Sequence, residues 1–311
     1  MAEEPHPQVV EILERMEALP SLHELSTEDA RAQYDELRAG QEGEPVGSVA
    51  DRSVPGPDGE IPIRHYHVAD EPRPVLVYYH GGGFVIGNRD THDPICRALA
   101  NATGYHVVSV EYRLAPEHPF PAPMEDAYAA TEWVADNADA VDGTGSLVVA
   151  GDSAGGNLAA GVALLARDYD GPEIARQLLV YPVVSAEFQE FESYEENGEG
   201  YLLETETRQW FAERYLDSRL HARNEYRAQL LVDEYDGLPP ATVLTAGFDP
   251  LRDEGNRYAD RLAADGVDVA HREYGDMIHG FLGLLDMVDA AEEAIEWLAS
   301  TVPDPDPDLG S

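Results

Sequence analysis

Lysine is absent from this 311-residue chain, and cysteine occurs once. Each absence removes chemistry. Without Lys there is no Walker A lysine, no Schiff-base or pyridoxal-phosphate lysine and no Ser-x-x-Lys acylation pair. The single Cys96 excludes an intramolecular disulfide and a multi-cysteine zinc site. It reads as a small buried hydrophobe on a helix. Basic charge is scarce: 20 Arg stand against 61 Asp and Glu, for a net charge of −41. Such a field repels nucleic acid and anionic membranes, so neither is expected as a partner. No apolar run approaches the roughly 20 residues of a membrane-spanning helix. The opening Met-Ala-Glu-Glu-Pro-His-Pro has neither the basic nor the apolar part of a secretory signal, so a cytoplasmic protein is expected.

What is present is an ordinary apolar content of 43%, enough for a sizeable core. The chain length suits one large α/β domain with an insertion, or two modest domains. The excess of carboxylates without Lys resembles proteins of extreme halophiles. Carboxylates hold water and cations at molar salt, where the Debye length falls to about 3 Å and self-repulsion is screened. Codon bias explains missing Lys but not the acidic excess. A salt-adapted protein, of haloarchaeal origin, is therefore expected.

Along the chain, strands alternate with helices. Residues 7–39 carry two helical patterns. Residues 40–60 are rich in Gly, Pro and acid and read as turns. Strands are expected over 61–66, 74–79, 105–110, 146–150, 177–181, 241–246 and 267–274. Helices are expected over 90–103, 121–137, 157–167, 205–215, 251–265 and 281–300. The alternation breaks between about 183 and 238, which reads as an insertion over the sheet. The tail 302–311 carries three Pro-Asp pairs and is expected to be disordered. This order predicts a mostly parallel sheet with helices on both faces.

The organising stretch is Gly151-Asp152-Ser153-Ala154-Gly155-Gly156, between an apolar strand and a small-residue helix. A serine between glycines on such a turn is a nucleophile elbow. The turn lifts the hydroxyl clear of the sheet, beside helix N-terminal N–H groups that can hold an oxyanion. Active residues of parallel sheets lie beyond the C-terminal strand ends. Ser153, Asp249 and His279 sit there, in the chain order of α/β-hydrolases. Ser153 would attack an acyl carbon, His279 would move the proton, and Asp249 would orient the imidazole. Asp253 is a rival to Asp249 but falls within the next helix. Asp276 is a second rival, on the loop of His279. His80 competes as a base, yet it opens His80-Gly81-Gly82-Gly83 and more simply braces it. That glycine run suits an oxyanion loop, with the Ala154 N–H as a further donor. His65 and His67 share one face of a strand and could bind a metal. With no third ligand evident, a solvated face is the better reading, and no metal is expected.

Six motifs carry a resemblance: HGGGF at 80–84, YRLAPEHPFPAP at 112–123, GDSAGGN at 151–157, LPPA at 238–241, DPLRDEG at 249–255 and IHGF at 278–281. Together they resemble the hormone-sensitive lipase-like esterases, the GDSAGG group of the α/β-hydrolase superfamily, over roughly residues 40–300. The resemblance implies nucleophile Ser153, acid Asp249, base His279 and oxyanion donors at Gly82, Gly83 and Ala154. It implies an α/β-hydrolase core over 46–182 and 239–301. Residues 1–45 and the insertion 183–238 would form a helical cap, and a homodimer would pair through the last strand and helix. It also implies a carboxylesterase for short- to medium-chain esters with no cofactor. Phe84, Tyr201, Trp210 and Phe211 are candidate pocket residues, with packing inside the cap an equal reading for the last three. Many relatives carry Ser-Pro-Leu where Arg227-Ala228-Gln229-Leu230 stands here, so the hinge between cap and core is expected to differ. The same triad could act on an amide, lactone or carbamate. A silent binding protein is the remaining alternative, against which the complete triad argues.

Overall fold

Small and β-branched residues in short apolar runs build the centre of this protein, because strands covered on both faces need no polar side. The computed structural model describes residues 2–186 and 191–305. Two helices lead, α1 (Pro7–Met16) and α2 (Thr27–Arg38). A hairpin follows, β1 (Ser48–Gly56) and β2 (Gly59–His67), then β3 (Arg73–Tyr79). The alternation continues through α3 (Asp93–Thr103), β4 (His106–Val110), α4 (Ala122–Asp136), β5 (Gly143–Asp152), α5 (Ala154–Asp168) and β6 (Arg176–Val180). The insertion carries α6 (Ser193–Glu196), α7 (Thr205–Tyr215) and α8 (Arg219–Ala222). The chain closes with β7 (Ala241–Phe248), α9 (Arg252–Ala264), β8 (Val269–Ile278) and α10 (Asp289–Thr301).

The strands form one eight-stranded sheet in the order β1-β2-β4-β3-β5-β6-β7-β8. The pairs β1–β2 and β2–β4 are antiparallel, and all later pairs are parallel. One face packs on α4, α5 and α9 through residues such as Met124, Leu158 and Tyr258. The other packs on α1, α3 and α10 through Ile12, Leu99 and Leu298. Cys96 is fully buried on α3.

Several expectations need correction. Residues 48–56 are not merely turns but an edge strand, largely exposed and paired on one side only. The last helix does not begin at Phe281. A single 3-10 turn spans Phe281–Gly283, and α10 starts at Asp289. The Arg38 guanidinium takes the Gly283 carbonyl, and Gln8 Oε1 accepts the Asp289 N–H, so the leading helices shape this segment. Asp276 lies in β8 rather than on a loop. The tail is seated as far as residue 305: the Tyr105 hydroxyl donates to the Pro303 carbonyl at 2.8 Å. The rest of the tail, 306–311, lies outside the described residues.

The face carrying His65 and His67 is not solvated. His65 is fully buried, and a third imidazole, the equally buried His106 of β4, stands against the pair.

Candidate active site

The turn after β5 forces Ser153 to φ 55°, ψ −114°, a strained conformation for a residue with a Cβ. Its N–H donates to the Val180 carbonyl of β6 at 2.8 Å, which pins the turn to the sheet. The glycines around it are required by space. A Cβ on Gly155 would stand 1.9 Å from the Tyr79 carbonyl oxygen, and one on Gly151 would stand 2.3 Å from Gly155. The elbow therefore closes only with hydrogen at both positions.

Asp249 follows β7 and is fully buried. Its Oδ1 accepts the Leu251 N–H at 2.8 Å, fixing the carboxylate at the head of α9. Its Oδ2 lies 2.7 Å from His279 Nδ1. His279 Nε2 lies 2.9 Å from Ser153 Oγ. The three residues thus form one continuous line of hydrogen bonds from three strand ends. The rival Asp253 is turned away: its carboxylate accepts the Ser193 N–H and pairs with Arg252.

The glycine loop after β3 is held from below by Asp152. That buried carboxylate accepts from the Gly81 N–H at 2.9 Å and the Tyr78 hydroxyl at 2.7 Å, with His92 Nε2 at 3.4 Å. Burial by itself would raise its pKa. The neighbouring His92 and the hydrogen bonds from His92 and Tyr78 outweigh burial and hold the carboxyl well below the ordinary range. His80 is also buried, stacked on Tyr112 with ring centroids 4.3 Å apart. The Tyr112 hydroxyl donates to the His80 carbonyl at 2.6 Å, so His80 braces the loop and does not reach Ser153 as a base. Gly82, Gly83 and Phe84 all have positive φ, which turns the loop sharply. None of the hydrogen bonds among the described residues uses the N–H of Gly82, Gly83 or Ala154.

A cavity of about 550 Å³ opens over Ser153 and His279. Gly82, Gly83, Phe84, Tyr201 and Phe211 line it, together with side chains of α1 and α2. Phe211 lies flat against the glycine loop, its ring 2.2 Å from where a Gly83 Cβ would be. Trp210 does not line the cavity. It stands beside Phe211 on α7 but turns away, with the Arg214 guanidinium 3.6 Å above its ring. Asp152 and Arg38 are the site residues that sequence reasoning missed. Asp152 lay inside the motif already singled out, but nothing in a linear pattern shows what a carboxylate holds.

The insertion returns to the core through residues 227–230. Arg227 is fully buried, and its guanidinium donates to the Ser185 carbonyl at 2.8 Å. Gln229 and Asn157 exchange two side-chain hydrogen bonds, at 3.0 and 3.1 Å, the second to the Asn157 carbonyl. This polar clamp ties the returning chain to α5.

Comparison with known proteins decides the family. Residues 76–283 match the family described as α/β hydrolase fold. The chain belongs to the α/β-hydrolase family. This hydrolase is 46% identical over 247 residues to the carboxylic ester hydrolase LipN of Mycobacterium tuberculosis, covering 77% of this chain and 65% of that protein. It is 43% identical to the carboxylesterase NlhH of the same organism, over 86% of each chain. Among solved structures, the hyperthermophilic esterase of the archaeon Pyrobaculum calidifontis superposes with a TM-score of 0.93 at 40% identity, over 96% of this chain and 97% of that one. The hydrolase fold and the esterase relatives agree with the resemblance carried by the six motifs.

Proposed function

We propose that this hydrolase is a serine carboxylesterase acting on short- to medium-chain esters. The observation that carries the reading is the hydrogen-bonded line Ser153 Oγ, His279 Nε2, His279 Nδ1, Asp249 Oδ2. His279 takes the Ser153 proton as Oγ bonds to the acyl carbon. Asp249, buried and held by the Leu251 N–H, orients the ring and stabilises the imidazolium. The carbonyl oxygen becomes an oxyanion held by the N–H groups of Gly82, Gly83 and Ala154. Each such donor is worth about 10²–10³ in rate. His279 then protonates the leaving alkoxide, and the acyl group stays on Ser153. Water repeats the sequence: His279 takes its proton, the hydroxyl oxygen bonds to the acyl carbon, and Ser153 Oγ leaves and recovers its proton. LipN and NlhH, named as ester hydrolases, support the choice of ester.

The cavity supports a small substrate. Its volume of about 550 Å³ lies within the roughly 300–1,000 Å³ of small-molecule sites. Hydrolysis of p-nitrophenyl esters from acetate to long acyl chains, in molar KCl, tests this reading. Activity should peak at short chains; a preference for long chains, or no hydrolysis by folded protein, would overturn it.

Salt adaptation belongs to the same proposal, on the strength of the net charge of −41. A homodimer belongs to it as well. β8 is the outermost strand of its side of the sheet, where a second copy would extend the ladder beside α10.

A further inference from the structure

A second cluster of chemistry-bearing side chains lies on the sheet, at the end remote from Ser153. His65 and His67 stand two residues apart on β2 and so share a face. The β2–β4 register runs from Ile63 opposite Val110 to Tyr66 opposite Val107. One further step brings His67 opposite His106. His106 opens β4, whereas Ser153 follows the far end of the parallel β5.

The three imidazoles crowd together. One nitrogen from each lies within 4.8 Å of the other two. Ring centroids are 3.7 Å apart for His65 and His67, and 5.0 Å for His67 and His106. His65 and His106 are fully buried. Among the described residues, neither nitrogen of His65 has a hydrogen-bond partner, and neither does Nε2 of His106. Buried nitrogens without partners are expensive, and a core built only for packing would use apolar rings instead.

The surroundings fit a cation. Asp142 Oδ2 lies 3.5 Å from His67 Nδ1, which puts a carboxylate beside the cluster within a small shift of the hydrogen bond that orients a ligating imidazole. His106 Nδ1 accepts the Val68 N–H at 3.3 Å and the ring also bonds to the Glu71 backbone, so among the described residues Nε2 is the ring nitrogen without a partner. Arg52 and Arg73 also face the cluster and oppose a cation, which makes Asp142 the counterweight. Burial, and then the neighbouring imidazoles, push the His65 pKa down to about 3. Burial lowers His67 and His106 as well. His67 keeps 16% of its side chain exposed and gives an entry path.

We propose that His65, His67 and His106 bind one transition-metal dication of the zinc class, with Asp142 supporting His67. Three imidazole nitrogens suit zinc, copper or nickel, whereas magnesium and calcium prefer oxygen. Tetrahedral zinc holds its nitrogens about 3.4 Å apart. His67, the only one of the three rings not fully buried, is the one that would shift to close that distance. The ion would clamp β2 to β4, joining the antiparallel hairpin to the parallel core. It is remote from the ester chemistry and does not depend on it.

The test uses the full chain, stripped with EDTA and kept in molar KCl with excess magnesium to occupy surface carboxylates. It is dialysed against zinc, and bound metal is counted by atomic emission. Wild type should retain one zinc per chain and melt at a higher temperature than the stripped protein. His67→Gln and His106→Gln should lose that zinc, and Asp142→Asn should weaken it about 10- to 100-fold. His67 is partly exposed, so His67→Gln should keep its circular dichroism and its ester hydrolysis; it decides the matter even if His106→Gln does not fold. Equal zinc in wild type and His67→Gln, whether none or adventitious surface binding, would overturn the proposal.

Discussion

Asp152 Oδ1 accepts the Gly81 N–H at 2.9 Å, so the residue preceding Ser153 in sequence also anchors the loop that faces Ser153 in space. Elbow and glycine loop are thereby one rigid unit. Preorganised donors accelerate acyl transfer only when they already stand where the oxyanion forms.

Asp152→Ala should therefore lower kcat more than it raises KM. A displacement of about 1 Å near the chemistry costs on the order of 10²-fold. Asp152→Asn, which can still accept from Gly81, should recover part of the loss. Steady-state kinetics of the two variants checks this. An unchanged kcat in Asp152→Ala would mean that the loop holds its shape without the anchor.

Acid should destabilise the fold through His80. Burial first, and then the neighbouring His92, push its pKa down to about 4. The unfolded imidazole titrates near about 6.5. Between these values the unfolded chain carries a proton that the native chain lacks, so stability falls as pH falls. The loss by pH 4 is on the order of 3 kcal/mol. Asp152, depressed in the native state, adds its own loss only below about pH 4. Urea midpoints between pH 7 and 4 measure the slope, and His80→Gln should flatten it. An identical slope in the variant would remove His80 from the account.

Low salt should unfold the chain. The carboxylates outnumber the guanidiniums by 61 to 20, and screening by molar salt is what keeps their repulsion short-ranged. Far-UV circular dichroism during dialysis from molar to millimolar KCl should show loss of helix. A spectrum unchanged in millimolar KCl would contradict salt adaptation.

What could be read from the sequence follows from which signals are local. Buried parallel strands are continuous apolar runs, and turns between glycines are sterically constrained, so β3 through β8 and the elbow stand out. Ser153, Asp249 and His279 stand out because each follows such a strand. β1 does not, because its burial pattern exposes most residues and its Pro and Gly look like turns. The direction of Trp210 was hidden for another reason: α7 is polar on several sides, and only packing against the turn Leu22–Glu24 and the glycine loop decides which aromatic faces the cavity. The third histidine was hidden by register. His106 meets His67 through an antiparallel pairing that no linear spacing encodes. Asp152 shows the same limit, since its partners Tyr78, Gly81 and His92 come from elsewhere in the chain.

The central claim is that Ser153, activated by His279 and Asp249, attacks an acyl carbon. The most direct measurement compares p-nitrophenyl acetate hydrolysis by wild type and Ser153→Ala in the same molar KCl, with circular dichroism confirming that both are folded. Wild type should turn over, and Ser153→Ala should fall by several orders of magnitude towards the residual rate left by oxyanion binding alone. Hydrolysis by Ser153→Ala near the wild-type rate would contradict the assignment and move the chemistry to another residue.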